Sequence, residues 1–280
     1  MTYRELIKKA RTRLEEVGVP DAEVDAWELL SHALSISRKD YFLRMNEAVR
    51  DEEVKEYFDL VDKRCGRLPL QQILGHVGFM GLDFAVNEHV LCPRQDTELL
   101  VEKAGEHLPP QARVLDLCTG SGCVLISLMR LFDGIEGIGV DISEEAIAVA
   151  RENGRRNFVH PIWRQGDLYK PVKGERFDMI VSNPPYIPTG AIEHLMPEVR
   201  DHEPRRALDG GEDGLLFFRE IIRDAPLYLK EGGWILFEVG VDEALAVESM
   251  LFDRGFGSIR HYRDYADNDR VVRGRWLAER

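Results

Sequence analysis

The chain has few cysteines and no long apolar run. Its 280 residues include four cysteines and eight histidines, and no two cysteines have the CxxC spacing typical of zinc or redox sites. This scarcity argues against a metal site and against a disulfide framework, so we expect reduced thiols. No apolar stretch approaches the roughly 18 residues that indicate a membrane span, and the first nine residues lack an apolar signal core. We therefore predict a cytoplasmic protein without a membrane partner.

Basic residues are outnumbered by acidic ones. With 37 Lys and Arg against 50 Asp and Glu, the formal net charge is -13 at pH 7. A protein that relies on many phosphate contacts usually presents a basic field, so duplex DNA is disfavoured as a substrate and no direct nucleic-acid partner is expected. The acidity would attract a basic protein partner, but it would equally serve solubility alone, and the charge by itself leaves both interpretations open.

The hydrophobic pattern that is present changes character near residue 70. Hydrophobic residues make up 44% of the chain, enough for one large core and a smaller domain. Before residue 70 the apolar positions recur at helical spacing, and Thr2 with Glu5 forms a capping-box pattern. We predict a helical bundle over residues 1–70, and a strand pair or hairpin punctuated by glycines over residues 71–92. The apolar residues assigned to the core of the bundle are Leu6, Ala10, Leu14, Val17, Val24, Trp27, Leu30 and Leu34.

Residues 93–280 show a different pattern. From Arg113 onward, short apolar runs alternate with helical stretches, which is typical of a parallel sheet flanked by helices. An α/β domain is therefore predicted for this part of the chain. The expected strands are 114–117, 135–140, 159–163, 178–181, 234–239 and two more near the C-terminus.

A glycine-containing loop follows the first of these strands. It consists of Cys118, Thr119, Gly120, Ser121 and Gly122. The glycines let the backbone turn sharply and approach a ligand closely, above the N-terminus of the next helix. The pattern predicts a nucleotide or nucleoside ligand, although Leu125 stands where the GxGxxG motif of dinucleotide-binding proteins has its third glycine.

An acidic residue follows the second strand. Asp141 lies 19 residues after Gly122, where a carboxylate can accept hydrogen bonds from both ribose hydroxyls of a nucleoside. An Asp after a strand often only caps the next helix, but Ser143 is the more direct cap here. Asp167 and Leu168 follow the third strand, so Asp167 could hold an adenine amino group while Leu168 covers the ring. These residues predict a nucleoside cofactor and do not separate S-adenosylmethionine from NAD.

The fourth strand ends in Asn183, Pro184, Pro185 and Tyr186. An Asn side-chain oxygen and a backbone carbonyl can each accept one N–H of a planar NH2 group, which orients its nitrogen as a nucleophile. The two prolines stiffen the loop and remove two backbone donors, and the Tyr186 ring can pack on the substrate plane. The alternative is that Asn-Pro-Pro only ends a strand. The full order, with glycine loop, ribose acid, adenine acid and amine clamp, favours a methyltransferase.

The whole chain resembles the HemK/PrmC family, which methylates the glutamine N5 in the Gly-Gly-Gln motif of class I peptide-chain release factors. Beyond the tetrapeptide and the glycine loop, the matching segments are residues 68–75, 90–98, 203–208, 210–214 and 269–272. The resemblance implies a class I S-adenosylmethionine-dependent fold, Rossmann-like, with a mostly parallel seven-stranded sheet over residues 93–280. It also implies that the helical bundle helps to recognise the release factor.

The resemblance assigns roles to particular residues. Cofactor binding falls to Cys118, Thr119, Gly120, Ser121, Gly122, Asp141, Asp167, Leu168 and Asn183. Substrate binding falls to Asn183, Pro184, Pro185 and Tyr186, of which Asn183, Pro184 and Tyr186 are expected to be catalytic. The expected product is S-adenosylhomocysteine. In the family, Pro93, Arg94, Thr97 and Glu98 lie near the cofactor and substrate entrance, although a structural salt bridge is an equal alternative for Arg94.

Three departures from the family pattern are visible. The chain has Gln72 for the usual Tyr, Gln95-Asp96 for Pro-Glu, and Cys118 for Gly. Only Cys118 is near the cofactor loop. We expect it at an ordinary negative φ, where a small side chain is tolerated, with an inert buried thiol.

Other functions use the same chemistry. The tetrapeptide also occurs in adenine N6 and guanine N2 methyltransferases of nucleic acids, which the acidic charge disfavours. A glutamine of a ribosomal protein is an alternative acceptor, and a cofactor-binding regulator without catalysis is a third. The sequence leaves open the preferred release factor, the oligomeric state, the kinetic constants and any movement of the bundle.

Overall fold

The helices belong to two structural units. The computed structural model describes residues 1–277, and these fall into a helical unit, Met1–Gly75 with Met196–His202, and a larger α/β unit. The division made from the sequence at residues 70 and 92 remains a prediction. The helices are α1 Tyr3–Glu16, α2 Ala22–Leu34, α3 Arg38–Arg44, α4 Asp51–Cys65, α5 Leu70–Leu74, α6 Gln95–Gly105, α7 Cys123–Leu131, α8 Glu144–Arg156, α9 Pro197–Arg200, α10 Leu216–Tyr228 and α11 Ala244–Asp253.

The helical unit begins with the predicted capping box. The Thr2 hydroxyl accepts the Glu5 N–H, and the Glu5 carboxylate accepts the Thr2 N–H at 2.8 Å, so two of the free N–H groups at the start of α1 are bonded. The predicted core positions Leu6, Ala10, Leu14, Trp27 and Leu30 are buried.

Two predicted core positions of the helical unit are wrong. Val17 and Val24 are 43% and 51% exposed. Val17 lies at the C-cap of α1, beyond the last full turn. On α2 the buried face runs through Ala22, Asp25 and Ala26, and Val24 points about 180° away from it. The periodicity did not reveal this face because a charged residue occupies it.

Asp25 is buried because it belongs to an ion network. Arg64 Nε donates to Asp25 Oδ2 at 2.6 Å, and Arg64 Nη2 donates to Glu198 Oε1 at 2.8 Å. Arg67 Nη2 donates to Glu198 Oε2 at 2.7 Å. Burial alone would raise the pKa of Glu198, but the hydrogen bonds from Arg67 and Arg64 lower it to about 2. Glu198 stays ionised, and it attaches the segment Met196–His202 to the helical unit.

A hairpin opens the α/β unit, but it is shorter than the predicted span of residues 71–92, because residues 71–74 belong to α5. Its strands are β1 His76–Phe79 and β2 Leu82–Ala85, which pair antiparallel with Val77 opposite Phe84. Met80 and Gly81 form the two-residue turn, both with positive φ, as the right-handed twist of paired strands favours.

A mixed seven-stranded sheet forms the centre of the α/β unit, as predicted. Its strands are β3 Arg113–Leu117, β4 Glu136–Asp141, β5 Ile162–Gln165, β6 Phe177–Ser182, β7 Leu229–Glu238, β8 Phe256–Arg263 and β9 Asp269–Trp276. The order is β5-β4-β3-β6-β7-β9-β8, with β9 antiparallel to both of its neighbours. The chain runs outward from β3 to β5 and then crosses back to β6 on the other side of β3. Such a reversal leaves a crevice at the carboxyl ends of β3 and β6, where open α/β sheets bind ligands.

The third predicted strand starts later than expected. Residues 159–161 lie outside β5, because the Val159 N–H bonds the Gly154 carbonyl at the end of α8 and Pro161 has no N–H to give to a neighbouring strand. Within residues 1–277, no helix combines the length and apolar character needed to cross a membrane.

Candidate active site

A cavity of about 550 Å³ lies in the α/β unit where the strand order reverses. Nine predicted site residues line it: Cys118, Thr119, Gly120, Ser121, Asp141, Asp167, Leu168, Asn183 and Pro185. Gly122, Pro184 and Tyr186 lie outside its lining. The structure therefore brings the loops after β3, β4, β5 and β6 together at one site, as the carboxyl ends of neighbouring parallel strands require.

The glycine loop needs its two glycines for different reasons. Gly120 and Gly122 have φ values of 53° and 78°, in the region that glycine enters most easily. A Cβ on Gly120 would meet nothing within 4 Å, whereas one on Gly122 would lie 2.7 Å from the Trp163 ring. Gly120 serves the backbone turn beside the cavity, and Gly122 serves the close packing of α7 against β5.

Cys118 also has a left-handed backbone. Its φ is 59°, so the expectation of an ordinary negative φ is wrong. A side chain in this region costs about 1–2 kcal/mol because Cβ crowds the following carbonyl. Burial, with Asp141 and Asp116 nearby, raises the pKa of the Cys118 thiol well above its usual value. The raised pKa favours the protonated thiol at neutral pH, but Cys118 is partly exposed at the cavity and not buried as expected.

Replacing Cys118 with glycine should stabilise the protein. The left-handed penalty disappears, while the greater freedom of glycine in the unfolded chain returns part of it, so we expect a gain of about 0.5–1 kcal/mol. Urea denaturation of Cys118→Gly measures the change. Gly120→Ala is the matched control because it places a Cβ at the same kind of φ in open space, and it should destabilise by a similar amount. A loss of stability in Cys118→Gly would contradict the argument.

Asp141 is held by two backbone groups. Its Oδ2 accepts the Gly120 N–H at 2.8 Å and its Oδ1 accepts the Ser143 N–H at 2.9 Å. Burial raises the pKa of Asp141, and these two hydrogen bonds oppose the rise. The Ser143 hydroxyl caps α8, as predicted, by accepting the Ala146 N–H. Each Asp141 oxygen keeps a lone pair for a ligand at the cavity.

A second buried carboxyl, which the sequence reasoning assigned no role, lines the same cavity. Asp116 is 1% exposed and accepts a hydrogen bond from the Thr119 hydroxyl. Burial raises the pKa of Asp116 to about 7. The signal that could have revealed it is a charged residue between the apolar residues Leu115 and Leu117 of a buried strand.

Asp167 and Leu168 lie together on the loop after β5. The Asp167 carboxylate accepts a hydrogen bond from Lys170 Nζ at 2.7 Å, and the Leu168 side chain lies at the cavity wall. This placement puts one acceptor and one apolar surface at the same wall, which suits a flat heterocycle with an exocyclic amine.

The Asn183 amide is anchored from one end. Its Nδ2 donates to Thr97 Oγ1 at 3.4 Å, and Thr97, on α6, also lines the cavity. Tyr186 packs against the apolar core, and its hydroxyl donates to Glu238 Oε1 at 3.2 Å. Burial raises the pKa of Tyr186, so the phenol stays protonated. The predicted stacking of Tyr186 on a substrate stays a prediction.

The four residues expected near the entrance divide into two pairs. Pro93 and Thr97 line the cavity. Arg94 Nη2 donates to Glu203 Oε1 at 2.6 Å, and Glu98 accepts the Met80 N–H at 2.6 Å. The salt-bridge alternative for Arg94 is therefore present in the structure.

The loop after the tetrapeptide adds residues without an assigned role in the sequence reasoning. Thr189, Arg206, Asp209 and Gly211 line the cavity. A bond from the Gly210 N–H to the Ile187 carbonyl, at 2.8 Å, draws the later part of this loop against the tetrapeptide. Within residues 1–277, no group of His, Cys, Asp and Glu side chains is arranged to hold a metal ion.

Comparisons with known proteins agree on the fold. Residues 5–75 match the PrmC N-terminal domain family and residues 94–199 match the methyltransferase small domain family. A methyltransferase from Pyrococcus furiosus superposes with a TM-score of 0.55 at 19% identity, over 70% of this chain and 90% of that one. A 16S rRNA N2 G1207 methyltransferase from T. Thermophilus gives 0.52 at 20% identity, over 72% and 49%. At sequence identities of 19% and 20%, these two structures are evidence for the fold alone.

Sequence relatives are much closer. A release factor glutamine methyltransferase of Geobacter sulfurreducens is 43% identical over 274 residues, which cover 98% of this chain and 96% of the relative. One of Clostridium acetobutylicum is 39% identical over 278 residues, covering 97% and 98%. The mixed seven-stranded sheet with its glycine loop and switch-point cavity defines a class I methyltransferase. Within that class, the chain belongs to the family of release factor glutamine methyltransferases.

Proposed function

We propose that this enzyme transfers a methyl group from S-adenosylmethionine to N5 of the glutamine in the Gly-Gly-Gln motif of class I release factors. The observation that carries the proposal is the similarity to the Geobacter enzyme over nearly the full length of both chains. The intact tetrapeptide beside the cavity supports it, because Asn183 is anchored there by its Nδ2 and keeps Oδ1 for a substrate. Release factors act in translation, so the reaction would take place in the cytoplasm.

The cavity fits S-adenosylmethionine better than a dinucleotide. Asp141 would accept the ribose hydroxyls, and Asp167 with Leu168 would hold the adenine. Carboxyl groups of Asp116, Asp141, Asp167 and Asp209 line the cavity against a single lining arginine, Arg206, among the described residues. Such a lining attracts a cation and repels a pyrophosphate. When bound, the cofactor supplies an electrophilic methyl group on a positive sulfonium.

The residues of the chain would act mainly by orientation. The substrate amide would donate one N–H to Asn183 Oδ1 and the other to the Pro184 carbonyl, which increases electron density on its nitrogen and directs the lone pair toward the cavity. No hydrogen bond from the described residues occupies that carbonyl. The methylated nitrogen is far more acidic than the starting amide, so its proton can leave late and no strong base is required.

The fold by itself leaves the acceptor open. The T. Thermophilus rRNA methyltransferase shares it, and a ribosomal-protein glutamine would use the same chemistry. The net charge of -13 argues against a polyanionic acceptor. We therefore place the release factor first, a ribosomal-protein glutamine second, and a nucleobase third.

A methyl-acceptor survey tests the proposal. The full-length enzyme and labelled S-adenosylmethionine are incubated in parallel with release factor, ribosomal proteins, RNA and DNA, and the products are analysed by mass spectrometry. We expect a methyl group on the glutamine of the Gly-Gly-Gln peptide. A release factor that stays unmodified while another acceptor is methylated would overturn the assignment of the substrate.

Cofactor binding should tighten as the pH rises from about 5.5 to about 7.5. Asp116, whose pKa is raised to about 7, is neutral below that value and negative above it, so only the higher pH favours the sulfonium. The dependence can reach roughly tenfold in Kd per pH unit. The pH range ends at about 7.5 because the amino group of the cofactor itself titrates at about 8.

Calorimetric titration of the wild type and Asp116→Asn measures this effect. The variant should lose most of the pH dependence. S-adenosylhomocysteine, which lacks the sulfonium charge, should show a weaker dependence with the wild type. If the Kd of Asp116→Asn for the cofactor changed with pH as steeply as that of the wild type, another group would be responsible for the effect.

A further inference from the structure

Buried polar side chains lie next to Asn183. Thr97 and Glu238 are each 3% exposed. Glu238 ends β7, beside β6, whose last residue Ser182 precedes Asn183. Buried polar side chains of this kind are expected to have hydrogen-bond partners. The hydrogen-bond partners of Thr97 and Glu238 bear on which way the Asn183 amide is oriented.

The orientation of an Asn amide matters for the proposed chemistry. The oxygen and nitrogen ends of a carboxamide are nearly the same size, so packing alone does not distinguish them. Only the Oδ1 end can accept an N–H from a substrate amide. If Nδ2 faced the substrate instead, two donors would meet and the nitrogen would not be activated. A neighbouring group must therefore determine which end faces the cavity.

The Thr97 hydroxyl can accept one hydrogen bond and donate another. Its Oγ1 accepts Nδ2–H of Asn183 at 3.4 Å, which leaves the hydroxyl proton of Thr97 to be donated elsewhere. Glu238 Oε1 accepts the Tyr186 hydroxyl, while Oε2 is buried with no standard hydrogen-bond partner among the described residues. The buried oxygen needs a donor and the Thr97 hydroxyl needs an acceptor.

Burial and the neighbouring polar groups act on Glu238 in opposite directions. Burial raises the pKa of Glu238, and its interactions with the Thr97 hydroxyl, Arg270 and the Tyr186 hydroxyl lower it. Arg270, 8% exposed, adds positive charge that favours the carboxylate.

We propose that Thr97 and Glu238 are positioning residues that determine which end of the Asn183 amide faces the methyl acceptor. Asn183 donates to Thr97, so the single proton of the Thr97 hydroxyl is left for Glu238, whose Oε2 has no other partner among the described residues, and this sets the direction of the series. The Oδ1 end of Asn183 then faces the cavity. This inference rests on the proposed function of Asn183 as the amide clamp.

Four variants of the full-length enzyme test the series, with release factor and labelled S-adenosylmethionine as substrates. Thr97→Val keeps the shape and removes the hydroxyl, and Glu238→Gln keeps the size and adds a donor. Each should lower kcat by roughly 10- to 100-fold, with the Kd of the cofactor within about threefold of the wild type. Thr97→Ser restores the hydroxyl and should recover most of the loss. Ser127→Ala is the matched control, because it also removes a fully buried hydroxyl, outside this group.

The double variant Thr97→Val/Glu238→Gln separates a series from two independent effects. Residues that act in series should give a double variant no slower than the worse single variant, whereas independent effects would multiply. Multiplying effects, or a kcat of Thr97→Val within twofold of Ser127→Ala, would overturn the proposal. A wild-type enzyme that does not methylate the release factor would instead refute the proposed function, so the two failures are distinguishable.

Discussion

Asn183→Ala should reduce methyl transfer to the release factor by about 10³-fold or more while cofactor binding stays within a few-fold of the wild type. The substitution removes the only side-chain acceptor that the tetrapeptide offers to the substrate nitrogen, and the loss of one such preorganised group costs about 10²–10³ in kcat in other enzymes. The misplaced nitrogen adds to that loss. Single-turnover transfer and calorimetric cofactor binding measure the two effects separately.

The control for Asn183 is Asn268→Ala. Asn268 precedes β9 and uses its backbone N–H, which donates to Asp264 at 3.0 Å, and it lies outside the lining of the cavity. Its replacement should leave transfer close to that of the wild type. Equal losses of transfer and of cofactor affinity in Asn183→Ala would show that Asn183 serves the cofactor instead of the acceptor.

Gly210→Ala should lower turnover by roughly 100-fold. A Cβ on Gly210 would lie 2.7 Å from both Cα and the carbonyl carbon of Tyr186, and 2.7 Å from the Gly214 carbonyl oxygen. All three are backbone atoms, so the tetrapeptide itself would have to move, and displacements near 1 Å can cost 10²-fold. We also expect a loss of about 1–3 kcal/mol in stability from overpacking. Turnover with release factor and urea denaturation measure these changes.

Gly190 provides the matched control in the same loop. A Cβ there would meet nothing within 4 Å and its φ is not left-handed, so Gly190→Ala should change stability by no more than about 0.5 kcal/mol. If Gly210→Ala kept turnover within threefold of Gly190→Ala, close packing against Tyr186 would not be what Gly210 provides.

Local pattern predicted most of the α/β unit. The runs before Cys118 and Asn183 are β3 and β6, and the loop after each reaches the cavity. This succeeded because strand periodicity, glycine turns and a tetrapeptide are encoded in consecutive residues. Strand β5 begins later than predicted, because Pro161 and the bond that ends α8 delay the pairing.

The expectations drawn from the sequence were wrong where a residue far away in the chain determines the local environment. Val24 is exposed because Asp25 faces the core of the helical unit, and Asp25 is buried because Arg64 binds it from 39 residues away. Glu198 is bound by Arg67, 131 residues earlier in the chain, so the segment around it joins the helical unit. The backbone of Cys118 is left-handed, a conformation that the sequence of the loop did not reveal.

The sequence by itself determined the class of enzyme, since the glycine loop, the ribose acid and the tetrapeptide follow one another in a recognisable order. The tertiary structure decided how Asn183 is held. Thr97 lies 86 residues before it, and Glu238 reaches the Tyr186 hydroxyl across 52 residues. Hydrogen-bond direction and close packing depend on which atoms meet in space, and local spacing carries no information about partners so far away in the chain.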